Sequence, residues 1–261
     1  MKTIAICLTT FMRDKLLFES VKSILDNWSD NYVLLIGDQN PTKTKKQYYN
    51  NLRSEIKYYP LPFDSGLSFS RNFLVQKAKE QNIDYCIITA DSIMFTKKYN
   101  LQPVIDFLEN NNEAGIVGFN LLKRVPWEVD MKFIKGKGWE LDIPRRKIVK
   151  FKSLFLQPCD MIKNFFIAKT KCLLENKWDE ELKLSEHESF FNELKQTNWK
   201  VFYISNIKAM YKDYKSVKYQ HYRRRMYHFF RNILRKKYEI NGWVTYTPEL
   251  CKVFSNWKKE K

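Results

Sequence analysis

The chain has 261 residues, 44% of them hydrophobic, and carries 46 Lys and Arg against 29 Asp and Glu, a formal charge of +17. That size supports one substantial core with room for an extension, and no apolar run approaches the ~20 residues that a membrane-spanning helix needs. The charge favours polyanionic partners (nucleic acid, an anionic membrane surface or phosphorylated substrates), although Lys- and Asn-rich composition raises it too.

Thr3 to Thr9 is a short β-branched, apolar run and reads as a strand. Leu16, Leu17, Val21, Ile24 and Leu25 follow at helical spacing. Tyr32 to Ile36 is a second strand, stopped by the turn signal Gly37-Asp38-Gln39-Asn40-Pro41. Ile56 to Leu61 is a third. Leu67 to Lys79 reads as a helix with Ser68 or Ser70 near its cap, and Tyr85 to Thr89 as a fourth strand ending at Ala90-Asp91-Ser92. A helix over Val104 to Asn110 precedes a strand over Ala114 to Phe119. This alternation predicts an α/β fold with a mostly parallel central sheet flanked by helices. Ligands of such sheets bind at the carboxyl ends of the strands, where Thr10, Asp38 and Asp91 should converge.

Residues 120–157 are less regular. With Trp127, Trp139 and two basic clusters, they read as loops and short strands forming one wall of a cleft. Cys7 and Cys86 sit in apolar runs as small core residues. With Cys159, Cys172 and Cys251 they form no C-x-x-C pair, which argues against structural zinc. Met1-Lys2-Thr3 leads into no small-residue cleavage site, which points to a cytoplasmic protein.

Phe165 to Ala168 reads as a buried strand with Asp160 and Asn164 at its margins. Beyond it, Glu186-His187-Glu188 places three proton-handling groups at a helix start, as an acceptor site needs. Ser185-x-x-Glu188 is also a capping-box pattern, in which Glu188 only satisfies backbone donors. Trp178-Asp179-Glu180 suits either a sugar-holding platform or a turn anchored by a buried Trp.

From Tyr222 to Lys237, Met226, Phe229, Phe230, Ile233 and Leu234 form one apolar helical stripe. Arg223, Arg224, Arg225, Arg231 and Arg235 supply a basic, polyanion-binding face. The helix suits an anionic membrane surface, which would place the protein at the inner membrane face. It also suits nucleic-acid phosphates, or simple docking on the core. The organisation is then a catalytic domain over residues 1–213 and a basic amphipathic helical extension over 214–261.

Thr9-Thr10-Phe11-Met12-Arg13, the Asp38 strand end, Ser70-Arg71-Asn72 and Thr89-Ala90-Asp91-Ser92 together resemble GT-A glycosyltransferases of the family-2 type. The Asn164–Thr170 stretch with His187-x-x-Phe190-Phe191 resembles the β-1,4-N-acetylgalactosaminyltransferases that extend gangliosides. The resemblance covers roughly residues 3–213. It implies the GT-A (Rossmann-like) fold, a nucleotide-sugar donor, usually a UDP-sugar, and inversion at the anomeric carbon. It puts Asp38 on the uracil edge, Thr10 and Arg13 near the nucleotide, and Arg71, with Asn72 beside it, by the ribose and diphosphate. Asp91 and Ser92 fall in the D-x-D motif. Trp127, Asn164, Trp178 and Asp179 are the candidate acceptor contacts, and the resemblance puts His187, with Glu186 and Glu188 beside it, on the base position.

One departure has chemical consequences. The family's metal, Mn or Mg, is held by the last D-x-D carboxylate and by a later histidine, and Ser92 and Tyr211 occupy those places. Asp91 alone holds a hard cation poorly, so a weak metal requirement or none is expected, with Lys and Arg stabilising the leaving diphosphate. The sequence thus reads as a glycosyltransferase acting on a cell-envelope or capsular glycan. A phage-type DNA glycosyltransferase is the alternative, acting on hydroxymethylated pyrimidines and filling the gap of a flipped base with Trp127, Trp139 or Tyr214. A catalytically dead GT-A binding module is the third reading.

Overall fold

The computed structural model describes residues 2–28, 31–125, 127–212 and 217–259; Tyr214 and the 213/214 boundary lie outside these. The first half is strand–helix alternation: β1 (Ile4–Thr10), α1 (Asp14–Asn27), β2 (Tyr32–Asp38), α2 (Lys43–Leu52), β3 (Ile56–Pro60), α3 (Leu67–Glu80) and β4 (Tyr85–Ala90). β5 (Ile93–Phe95), α4 (Gln102–Asn110) and β6 (Ala114–Leu122) follow. Then come β7 (Asp130–Ile134), β8 (Gly138–Asp142), β9 (Val149–Phe151), β10 (Leu154–Cys159), β11 (Phe166–Lys169), α5 (Thr170–Glu175), α6 (Glu186–Lys195) and β12 (Lys200–Tyr211). α7 (Val217–Lys237), β13 (Val244–Tyr246) and α8 (Pro248–Lys259) close the chain.

The main sheet runs β3-β2-β1-β4-β11-β6-β12-β10-β9, with β5 paired to β12. β1 to β4 are mutually parallel and β12 is parallel to β6, while β11, β10 and β5 run the other way. Every residue of β1 is buried, as a parallel strand covered on both faces requires. Its side chains alternate between two apolar clusters, Ile4, Ile6 and Leu8 in one, Ala5 and Cys7 in the other. Cys7 and Cys86 are thus core residues, and all five cysteines are free thiols.

Two details differ from the sequence reading. α2 was not anticipated because its ten residues bury only Tyr49 and show no apolar period; the Thr42 hydroxyl caps it, accepting from Lys45 N at 3.1 Å. α3 is capped by Gly66 at φ 92°, not by Ser68 or Ser70. Ser68 instead lies inside the first turn and donates to the Leu182 carbonyl at 2.8 Å.

β11 brings the segment that precedes it to the carboxyl ends of the sheet's parallel strands. It runs antiparallel between β4 and β6, with Phe166 facing Ile88 on one side and Gly118 on the other. Asn164, two residues before its start, therefore arrives beside the carboxyl ends of both neighbours.

The segment after β12 does not hang free. β13, β8 and β7 form a second sheet, and Leu234, Ile240 and Leu250 are buried in the same apolar cluster as Trp139 and Phe191. Trp139 N donates to the Trp243 carbonyl at 2.7 Å. Gly138 permits that approach: its φ is 125°, and an added Cβ would lie 2.2 Å from Trp243 O. Gly138→Ala is expected to lower stability by about 1–3 kcal/mol and to change Trp fluorescence as residue 243 is displaced. Urea denaturation at wild-type values would show that the contact constrains nothing.

Candidate active site

A cleft of about 640 Å³ opens at the carboxyl ends of β1, β2 and β4, where Thr10, Gln39 and Ser92 line it. Two carboxylates expected on its wall lie beneath it instead. Asp91 is fully buried, accepts from the Thr10 hydroxyl at 2.7 Å and from Arg13 Nε at 3.1 Å, and meets Arg13 Nη2 with its other oxygen. Burial pushes its pKa up to about 6, against the pull of Arg13 and Thr10. Asp38 is also fully buried and does not line the cleft. Its oxygens accept from Asn40 N at 2.8 Å and from Tyr58 Oη at 2.5 Å, and Lys45 Nζ pairs with it at 2.8 Å. The expected convergence of Asp38 and Asp91 at one ligand is therefore corrected: both hold the strand ends, and Gln39 and Arg13 reach the cleft in their place.

Arg71 and His187 do line the cleft. Arg71 Nη1 pairs with Glu186 Oε1 at 2.7 Å, both residues at most 5% exposed, and the guanidinium lies 5.4 Å from the Trp178 ring. This pair commits Glu186 to holding Arg71. Asn72, Trp178 and Asp179 are corrected as well. Asn72 bonds the Trp178 backbone in both directions, at 2.8 and 3.0 Å. Trp178 is 2% exposed and stacks on Phe190 at 4.3 Å, so the buried-anchor reading holds for it. Asp179 pairs with Lys237 at 2.6 Å, away from the cleft.

The Ser185–Glu188 capping box does not form. Ser185 takes a left-handed φ of 66°, which turns its side chain away from the helix donors. Glu188 is left to line the cleft, 4% exposed. Burial pushes its carboxyl up to about 7; Glu186 adds to the rise, while its own backbone N–H, Trp243 and Arg231 oppose it. His187 moves the other way: burial is the largest cause, and its pKa falls to about 4. The imidazole stands edge-on to Phe191 and Trp127, at 5.2 and 6.5 Å.

The opposite wall comes from the C-terminal segment, partly from the expected apolar stripe and partly from two tryptophans beyond it. Met226, Phe230, Trp243 and Trp257 line the cleft. Phe230 and Leu234 of the expected apolar stripe are buried against the chain itself, whereas Phe229 is 57% exposed. The basic face is likewise divided. Arg223 lines the cleft, and Arg224 and Arg225 are exposed. Arg231 lies over the Trp243 ring at 4.6 Å, and Arg235 donates to the Gly242 carbonyl at 3.1 Å, so these two do not join a common polyanion-binding surface. Among the described residues no helix is long and apolar enough to cross a membrane. Trp139 is buried in the core, with its indole N–H donating to Asn192 at 3.2 Å.

Among the buried polar atoms of cleft-lining residues that have no hydrogen-bond partner among the described residues are Trp127 Nε1, Asn164 Oδ1, His187 Nδ1, Glu188 Oε2 and Trp243 Nε1. The Trp243 indole lies beside Glu188 without meeting hydrogen-bond geometry. Buried polar groups are nearly always paired in folded proteins, so such a cluster marks a place where a polar ligand completes the set. The residues at the family's metal position do not fit an ion. Asp91 is taken by Arg13 and Thr10, Ser92 and Tyr211 offer no carboxylate or imidazole, and no cluster of three or more His, Cys, Asp or Glu ligands occurs among the described residues.

Strand order, the inserted antiparallel strand and a cleft at the strand ends define a GT-A type glycosyltransferase fold. The chain belongs to glycosyl transferase family 2, whose profile matches residues 5–182. Among solved structures, residues 1–349 of TarS from S. aureus align with a TM-score of 0.58 at 15% identity, over 81% of this chain and 60% of that one. The same TarS fragment in complex with UDP-GlcNAc gives 0.58 at 14%, over 83% and 60%. GalNAc-T7 with UDP, GalNAc and Mn2+ gives 0.65 at 11%, over 81% and 44%. At these identities the likeness is one of fold, and the chain spans 60% or less of the length of each. No curated protein matches the sequence.

Proposed function

We propose that this protein transfers a sugar from a UDP-sugar to a carbohydrate hydroxyl with inversion, and that Glu188 is the base. The observation that carries the reading is Glu188 itself, a cleft-lining carboxyl with one unpartnered oxygen and a pKa raised to about 7. A general base works best when its pKa lies near the working pH. By that standard Glu188 is better poised than His187, whose conjugate acid is too strong. Family membership and the UDP and UDP-GlcNAc complexes of the fold relatives support the donor class. Thr10, Arg13 and Gln39 at the strand ends would face the nucleotide.

The acceptor end supports a carbohydrate. Trp127, Trp243 and Trp257 offer aromatic faces, and a buried indole N–H ordinarily finds a hydrogen-bond partner. Together with Asn164 Oδ1, the orphaned N–H groups of Trp127 and Trp243 suit a ligand with apolar C–H faces and many hydroxyls.

The test is incubation with a panel of UDP-sugars and oligosaccharide acceptors, read by mass spectrometry of the acceptor. The expected product is heavier by one sugar residue, and acceptor accelerates UDP release. Trp243→Ala should raise the acceptor KM about 10- to 30-fold while leaving the donor KM unchanged. Product on DNA bearing hydroxymethylated pyrimidines, with none on glycans, would overturn the acceptor assignment. Donor binding without turnover on any acceptor would favour a binding module.

A further inference from the structure

The residues standing where a divalent ion would sit are brought together by strand register. Tyr211 ends β12 opposite Ile93 of β5, and Lys212 N donates to the Ser92 carbonyl at 2.8 Å, so Ser92 and Tyr211 stand side by side. β6 runs parallel to β12 with Leu122 opposite Met210. Lys123 then takes a left-handed φ of 62°, and the turn carries Arg124 over its neighbour. The Arg124 guanidinium carbon lies 3.9 Å from the centre of the Tyr211 ring, and both side chains line the cleft. A delocalised cation thus rests on an aromatic ring at the position of the missing ligands.

We propose that Arg124, held on Tyr211, is the cation that grips the donor diphosphate and neutralises it as it leaves. The proposal rests on the glycosyl-transfer reading above. In that step the acceptor oxygen bonds to the anomeric carbon, its proton passes to Glu188, and the carbon–oxygen bond to the diphosphate breaks with its electron pair on the diphosphate oxygen. That oxygen gains charge next to a guanidinium, whose planar fork of N–H donors matches phosphate oxygens. Arg13 is less suited because Asp91 already holds it, and Glu186 likewise holds Arg71. Lys123 and Arg223 line the same cleft and add to the positive field.

Calorimetry on the full chain tests this, with UDP and uridine as separate probes, in EDTA and again with Mn²⁺. The expected result is UDP binding of equal affinity under both conditions. Arg124→Ala should weaken UDP about 10- to 100-fold, the loss of one charge-assisted contact, while uridine affinity stays at the wild-type value and Arg124→Lys recovers part of the loss. Binding of UDP that needs Mn²⁺, wild-type UDP affinity in Arg124→Ala, or an equal loss for uridine would each overturn the proposal. Wild-type protein that binds neither probe would instead sink the uridine-nucleotide donor, and this proposal with it.

Discussion

Glu188→Gln should slow transfer by about 10²- to 10⁴-fold, the range a general base contributes, with little change in donor affinity. The substitution keeps the shape of the side chain and removes its capacity to take a proton. His187→Gln should cost less than about tenfold, since a group whose pKa burial has lowered to about 4 is a poor proton acceptor. The wild-type rate should rise with pH through about 7, as the Glu188 carboxyl ionises. Initial rates of UDP release from pH 5 to 9 measure both effects. A dead His187→Gln variant beside an active Glu188→Gln one would return the role of base to the histidine.

The same residue leaves a mark on stability. The folded pKa of Glu188, about 7, lies above its ordinary 4.5, so between those values the folded state binds more protons than the unfolded one. Its contribution is present below the ordinary value and is lost as pH rises through about 7. His187 has the opposite sign: its folded pKa of about 4 is below 6.5, so its contribution is lost as pH falls toward 4. Urea titrations of Glu188→Gln across this window should therefore be more stable at high pH relative to low pH than wild type.

Arg71→Ala should destabilise the fold by about 3–5 kcal/mol, because it strands the buried Glu186 carboxylate without its cation. The same guanidinium covers the face of Trp178, which itself stacks on Phe190, so α3 and α6 are joined through one contact set. The companion is Arg71→Met with Glu186→Leu, which replaces the pair by apolar groups of similar volume. It should recover most of the loss, since a desolvated ion pair adds little net stability over a packed apolar one. Denaturant midpoints of the single and double variants decide the matter. A single-variant cost under about 1 kcal/mol would show that water reaches the Glu186 carboxylate in spite of its burial.

How far the sequence could be read differs from element to element. The Leu16–Leu25 spacing located α1, and the short, continuous apolar run Ile4–Leu8 located β1, because burial on one face or on both is written directly into the side chains. α2 escaped since its surface face leaves no period to read. The Glu186-His187-Glu188 cluster was recognisable as proton chemistry, but the choice among the three was not. That choice depends on Arg71, 115 positions before Glu186, and on Trp243 and Arg231 in the C-terminal segment. Trp178 shows the same limit from the other side: an indole beside acidic residues reads equally as sugar platform or core anchor, and only the Phe190 stack distinguishes them.

The amino-acid order by itself determined the α/β alternation, the family and the neighbourhood of the candidate proton-handling groups. These follow from local periodicity and from motifs that lie close together in the chain. Tertiary structure alone decided that Asp38 and Asp91 sit beneath the cleft, that Arg124 rests on Tyr211, and that Trp243 and Trp257 line the cleft. The physical reason is that periodicity says which face of an element is covered, but not which distant side chain covers it. Proton affinity and ligand contact are set by that distant neighbour.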